Sequence, residues 1–222
     1  MIDVLDRLLA NVPVDFFKGW EENTIAAFVA ACQDEKRFDF PEQCQMRGQM
    51  RHAYCEKALR DAAIMPGLST TALHTDPPGG CYTIVYAGDV VLLRCAPVKH
   101  CGPPRRTKFR KKYAQQYNAW LNFQQHSFFE PTPTPSPNQL CVMLIATEDR
   151  SINGDRSVPA FLGVGIPRHD LSDWAYPVMP LSDLIGHYHD ADAASRQPIK
   201  KVPQVKDLAW PDLKGGQNEQ KE

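Results

Sequence analysis

Residues 81–96, with the sequence CYTIVYAGDVVLLRCA, decide the fold class of this chain. Two apolar runs, 81–87 and 90–96, are rich in β-branched and aromatic residues, and Gly88 and Asp89 separate them. Such runs joined by a tight turn predict a β-hairpin. The apolar runs at 140–147 and 158–166 predict a second strand pair. Gly163 and Gly165 alternate with apolar residues in that pair, which predicts that another element lies close against the strand.

The residues before the first strand pair predict helices. In residues 1–66 the apolar positions recur at helical spacing, for example at Ile25, Phe28, Val29 and Cys32. Residues 68–80 contain the run PPGG and are interpreted as a loop.

Between the two strand pairs, residues 105–120 read RRTKFRKKYAQQYNAW. Thr107 is a candidate N-cap of a helix that is expected to end near residue 126. An apolar stripe along this helix predicts packing against the core: its members are Phe109, Tyr113, Tyr117, Trp120 and Leu121. The connector PTPTPSPN (131–138) is expected to be extended, and residues 180–188 to form one or two helical turns.

This order of elements predicts an α+β fold. N-terminal helices are followed by an antiparallel sheet of two hairpins, and a long basic amphipathic helix packs on the sheet. The predicted divisions are a helical subdomain at 1–66, an α+β core at 67–190, and a largely extended or disordered tail at 191–222. The N-terminal helices either form their own unit or cover the open face of the sheet.

The compartment is inferred from the cysteines and the N-terminus. The seven cysteines are an odd number and are scattered through predicted helices and strands, which is typical of reduced thiols in a cytosolic protein. The first residues, MIDVLDRLLANVPVDFF, carry early acidic groups and no long apolar run. We therefore expect a cytoplasmic protein with neither a secretory signal nor a membrane span.

The charge of the chain is segregated, although its net value is only −1. Residues 90–129 contain eight Lys or Arg residues and no Asp or Glu, while the rest of the chain carries 17 basic and 26 acidic residues. An acid-free basic segment attracts anions locally. It could equally be a solvated helix face that is balanced by the acidic remainder.

We interpret this segment as a surface for nucleic acid of either type. The predicted phosphate-binding residues are Lys99, Arg105, Arg106, Lys108, Arg110, Lys111 and Lys112. Contacts of Lys and Arg with phosphates give affinity without base specificity. Cations at a helix start also oppose the helix dipole, and a bound anion would offset that unfavourable arrangement. The expected role is accessory or regulatory, with binding and not catalysis.

A metal-dependent nuclease is the first alternative. Asp89, Glu148 and Arg150 loosely resemble the acid plus Glu-x-basic arrangement of restriction-type nucleases. The pattern departs from that family because the last residue is Arg and not Lys, and because a helix and a Pro-rich connector intervene.

A protein–protein adaptor is the second alternative, with the Pro-rich connector or the Lys-rich tail as the contact. We expect no cofactor and no metal. Cys81, Cys95, His100 and Cys101 could supply zinc ligands, but they contain no Cys-x-x-Cys pair, so buried thiols are the better interpretation. His187 and His189 would face one metal only in an extended strand, and a polar helix end is expected there.

Overall fold

A computed structural model of the chain describes residues 4–97, 102–122, 139–149, 151 and 154–195. Within these ranges the chain forms helices and one sheet. The helices are α1 (Val4–Asn11), α2 (Val14–Glu35), α3 (Glu42–Ile64), α4 (Lys108–Asn118), which a 3₁₀ turn (Ala119–Asn122) continues, and α5 (Leu181–Ser195). The strands are β1 (Ser69–His74), β2 (Cys81–Ala87), β3 (Val90–Cys95), β4 (Leu140–Glu148), β5 (Pro159–Gly165) and β6 (Met179–Pro180). The protein is therefore α+β, with helices at the N-terminus.

The six strands form one mixed sheet in the order β1-β2-β3-β4-β5-β6. Ala87 pairs with Val90 across the turn between β2 and β3, and neighbouring strands are antiparallel with one exception. β3 and β4 are parallel, with Val90 opposite Leu140. The prediction of an antiparallel sheet is therefore wrong at its centre. The chain segment that contains α4 returns the chain to the same end of the sheet, so β4 runs in the direction of β3.

Both faces of the sheet are covered, and β4 shows how they are divided. Val142 and Leu144 belong to a core cluster with residues of α1, α2, α3 and α5, while Cys141 and Met143 belong to clusters on the side of α4. A strand that is buried on both faces carries a continuous apolar run, as residues 140–147 do. The helices of residues 1–66 thus share a core with the sheet.

Three elements differ from the sequence-based expectation. Residues 69–74 were predicted to be loop but form the edge strand β1, in which every residue is exposed, so no apolar alternation signals it. The short strand β6 was not predicted. The predicted helix of one or two turns is α5, which runs through Ser195 and passes the predicted boundary at 191. Residues 131–138 and 196–222 lie outside the described part of the chain.

The close packing predicted at the glycines of β5 is confirmed. A Cβ atom on Gly163 would lie 2.6 Å from the carbonyl oxygen of Met179, and one on Gly165 would lie 2.5 Å from the ring of Trp174. Both distances are shorter than any ordinary carbon contact, so the neighbouring segment requires glycine at these positions.

Candidate anion-binding site

Helix α4 presents two faces of different chemistry. Arg110, Tyr113, Ala114 and Asn118 are buried. The exposed face, which we call the lysine face, consists of residues at i, i+3, i+4, i+7 and i+8: Lys108, Lys111, Lys112, Gln115 and Gln116. These five residues line a shallow open groove on the surface. The structure thus brings three of the predicted phosphate-binding residues onto one solvent-exposed surface.

The aromatic stripe of α4 belongs to the core, as its spacing predicts. Tyr113 packs in a cluster with Ile84 and Val91 of the sheet, and burial raises the pKa of its hydroxyl well above the usual value. The ring of Phe109 stacks on Tyr82 with 3.9 Å between centroids. These rings hold α4 on the sheet and are not an open platform for bases.

The remaining predicted residues lie at different depths. Arg105 and Arg106 are exposed in the segment before α4, and the Nε–H of Arg106 donates to the carbonyl oxygen of Leu171 at 3.4 Å. Arg110 is 7% exposed. Lys99 lies outside the described residues. The predicted cluster is therefore divided between an exposed surface and the interior.

A pocket of about 380 Å³ opens beside the start of α4. Its wall combines side chains from α3, the ends of β3 and β4, and the first turn of α4. We call it the arginine pocket, because four guanidinium groups line it together with a single carboxylate: Arg51, Arg94, Arg105, Arg110 and Glu148. Arg105 lines the pocket and lies three positions before Lys108 in the sequence. It has no ion-pair partner among the described residues.

Arg110 enters the pocket wall from α4 without a paired carboxylate among the described residues. Its Nε–H donates to the carbonyl oxygen of Arg94 at 3.0 Å, and its Nη1 donates to Thr107 Oγ1 at 3.4 Å. Its guanidinium also lies 4.7 Å from the ring centre of Phe109. Because burial removes water from a cation held by neutral oxygens, the pKa of Arg110 is lowered. A nearby anion would compensate this buried charge.

Arg94 enters the wall from β3 and is held by α3. Its Nη1 lies 3.8 Å from Oε1 of Glu56, which is 1% exposed, and 3.1 Å from Nδ1 of His52. Arginine only donates, so Nδ1 of His52 accepts, and the Nε2–H donates to the carbonyl oxygen of Cys81 at 2.7 Å. The backbone N–H of Thr83 donates to Glu56 Oε2 at 2.7 Å. Glu56 is not among the residues that line the pocket, but its contact with Arg94 orients the arginine side chain there.

Arg51 crosses the other side of the pocket from α3. Its Nη1 pairs with Oε2 of Glu148 at the end of β4, and its Nη2 donates to the carbonyl oxygen of Arg156 at 3.1 Å. Its guanidinium lies 4.8 Å from the ring centre of Phe28. Glu148, predicted as a nuclease ligand, therefore forms an ion pair with an arginine in this structure.

The pocket wall has an excess of positive charge and unmet donors. The buried Nε–H groups of Arg51 and Arg94 have no hydrogen-bond partner among the described residues. Thr107, the N-cap of α4, makes no side-chain cap, so the first-turn N–H groups of the helix lack that acceptor. Unpaired buried donors are unfavourable, and an anion can satisfy several at once. The arrangement is therefore suited to bind an anion.

The structure does not bring the proposed nuclease residues together. Asp89 lies at the β2–β3 turn, where its carbonyl oxygen accepts from the N–H of Leu140 at the start of β4. Glu148 is the last residue of β4, so about 26 Å of extended strand separates the two positions. Asp89 and Glu148 cannot share a metal ion over that distance, and Arg150 lies outside the described residues.

The other candidate metal ligands do not converge on a common site in the described part of the chain. His187 and His189 are in α5, where residues two apart point to different sides of the helix. Cys81 lines the arginine pocket and Cys95 is buried, while His100 and Cys101 lie outside the described residues. Over the described ranges, no group of three or more His, Cys, Asp or Glu side chains could hold a metal ion.

Comparison with known proteins adds no assignment. The chain matches no family model, and no curated protein or solved structure is significantly similar to it. None of the helices in the described ranges is both long enough and apolar enough to cross a membrane.

The sequence predicts Arg105 and Arg110 as phosphate-binding residues, but it does not predict that they form a pocket with Arg51 and Arg94. Arg51, His52 and Glu56 are in α3, about forty residues from the basic segment, and only the fold brings them to it. One signal was available, because Arg94 is the single charged residue in the apolar strand VVLLRC. A charged residue in a strand that is buried on both faces must be paired or functional.

Proposed function

We propose that the protein is a cytosolic nucleic-acid-binding factor that acts as an accessory or regulatory component and not as a catalyst. The lysine face, together with Arg105 and Arg106, would contact successive phosphates of a strand. The observation that carries this proposal is the position of Lys108, Lys111 and Lys112 on one exposed helical face. In the described part of the chain, Asp76 is the one carboxylate within ion-pair distance of them.

The ion pair between Lys108 and Asp76 does not account for this surface. Its N–O distance is 3.2 Å, but the lysine side chain is 76% exposed and that of Asp76 is 85% exposed. Exposed pairs of this kind contribute little to stability and are screened by salt. The lysines also lie at the start of α4, where the first turn contains no acidic residue and the helix dipole disfavours cations. A bound phosphate would neutralise the charge of the lysines and would interact favourably with the helix dipole.

The proposal is tested by fluorescence anisotropy with labelled single-stranded and duplex oligonucleotides of DNA and RNA. A triple variant, Lys108→Glu, Lys111→Glu and Lys112→Glu, should bind at least tenfold more weakly than the wild type, because three attractive contacts become repulsive. The matched control is Lys18→Glu, Lys36→Glu and Lys57→Glu, which changes three exposed lysines elsewhere and has the same net charge. It should bind like the wild type.

Two results would contradict the proposal. If the wild type binds none of the four nucleic acids at low salt, the function is wrong. If both triple variants lose affinity equally, total charge and not the lysine face is responsible. Circular dichroism of each variant verifies that the fold is retained.

A further inference from the structure

We infer that the arginine pocket binds a phosphomonoester group, which on the proposed function is the terminal phosphate of a nucleic-acid strand. The inference rests on that function for the source of the phosphate. Its chemistry rests on the pocket itself, in which Arg94, Arg105 and Arg110 of the basic segment meet Arg51 of α3.

The charge of the pocket favours a dianion. Four guanidinium groups line it, and the carboxylates of Glu148 and Glu56 pair with Arg51 and Arg94. Among the described residues, no carboxylate lies within ion-pair distance of Arg105 or Arg110, and Glu56, which interacts electrostatically with Arg110, is already paired with Arg94. A phosphomonoester carries between about −1.5 and −2 charges at pH 7, whereas each internal phosphodiester carries one. Four arginines against two carboxylates leave two net positive charges, which match a terminal phosphate better than an internal one.

The donors of the pocket suit the three terminal oxygens of a phosphomonoester. Guanidinium groups bind phosphate in a bidentate manner, and the Nε–H groups of Arg51 and Arg94 lack partners within the described residues. Arg94 is 7% exposed and lines the pocket, so its guanidinium is held in a largely buried position at the wall. The start of α4, an eleven-residue helix without a side-chain cap, adds backbone N–H groups and a favourable dipole.

The size and position of the pocket indicate that more than the phosphate enters. A volume of about 380 Å³ exceeds that of a phosphate group and lies in the range of small-molecule sites, which leaves space for the attached sugar. Thr107 lines the pocket and directly precedes Lys108, the first residue of the lysine face. A strand whose end occupies the pocket can therefore continue along the exposed lysines.

The experiment compares one oligonucleotide sequence with a 5′-phosphate, with a 3′-phosphate, and with hydroxyl groups at both ends. Competition anisotropy with the full chain should show at least tenfold tighter binding of one phosphorylated form. Arg105→Gln should reduce that preference to less than threefold. Arg106→Gln is the matched control, because Arg106 is the exposed neighbour that does not line the pocket, and the preference should persist in it.

The outcomes distinguish the inference from the function on which it rests. Equal binding of all three oligonucleotides by the wild type overturns the inference and leaves nucleic-acid binding standing. A preference that survives in Arg105→Gln and disappears in Arg106→Gln also overturns it.

Calorimetric titration with a nucleoside 5′-monophosphate and with inorganic phosphate forms a separate arm. One outcome is that either small ligand binds, that Arg105→Gln abolishes this binding, and that no strand binds. This outcome supports the phosphomonoester site but refutes a nucleic-acid strand as the source of the phosphate. No binding of phosphate, nucleotide or strand overturns both proposals.

Discussion

A single buried amide, Asn118, joins helix α4 to the sheet. Its Nδ2 donates to the carbonyl oxygens of Cys141 at 2.9 Å and Pro167 at 2.8 Å, and its Oδ1 accepts from the N–H of Cys141 at 2.7 Å. The side chain is fully buried. The sequence around Asn118 does not predict this role, because an asparagine between aromatic residues does not reveal that its partners are more than twenty residues away.

Replacing Asn118 with Ala should therefore destabilise the protein strongly. Three buried backbone groups would lose their partner, at roughly 1–3 kcal/mol for each unsatisfied group, so a total of about 3 kcal/mol or more is expected. Urea denaturation measures the free energy of unfolding. Gln115→Ala, on the exposed lysine face of the same helix, is the control and should stay within about 0.5 kcal/mol. A loss below about 1 kcal/mol for Asn118→Ala would contradict the described contacts.

At the scale of elements, the turn between β2 and β3 was readable from sequence and depends on glycine. Gly88 has a φ of +54°, in the left-handed region. The N–H of Asp89 donates to Asn11 Oδ1 at 3.2 Å, and this same oxygen would lie 2.3 Å from a Cβ atom on Gly88. This hydrogen bond joins the turn to Asn11, the last residue of α1. The sequence of the turn alone does not predict the contact.

Gly88→Ala should lower the free energy of unfolding by about 1–2 kcal/mol, because an L residue is strained at this φ and its Cβ would displace Asn11. Gly186→Ala is the matched control. It lies within α5 with nothing inside 4 Å of the added Cβ, and alanine should stabilise the helix by about 0.5–1 kcal/mol. Thermal unfolding should therefore move in opposite directions for the two variants. A neutral or stabilising Gly88→Ala would show that the turn differs from the one described.

Element types followed from local pattern wherever burial was periodic or continuous. Helices α2 and α3 and the strands β2 to β5 have apolar patterns that decide their type. The sequence does not predict β1, because all six of its residues are exposed and only its backbone pairing with β2 makes it a strand. The sequence does not predict the parallel pairing of β3 with β4 either, because strand direction depends on how the intervening chain crosses the sheet.

At the scale of the whole molecule, charge segregation could be read from the sequence but its division into two sites could not. The lysine face follows from the helical spacing of residues 108–116. The arginine pocket requires α3, β3, β4 and α4 to converge, and its members Arg51 and Arg94 are separated by 43 positions along the chain. Local pattern therefore predicts the exposed surface, and only the tertiary structure defines the pocket.

The salt dependence of nucleic-acid binding tests the central claim most directly. Each cation that neutralises a phosphate contributes about −0.9 to the slope of log Kobs against log salt for duplex DNA. With contacts from Arg105, Arg106 and the three lysines, the wild-type slope should be about −4 to −5. In a triple variant, Lys108→Gln, Lys111→Gln and Lys112→Gln, it should approach about −2, whereas Lys18→Gln, Lys36→Gln and Lys57→Gln should leave it unchanged. A wild-type slope near zero, or an equal slope in the lysine-face variant, would contradict the account.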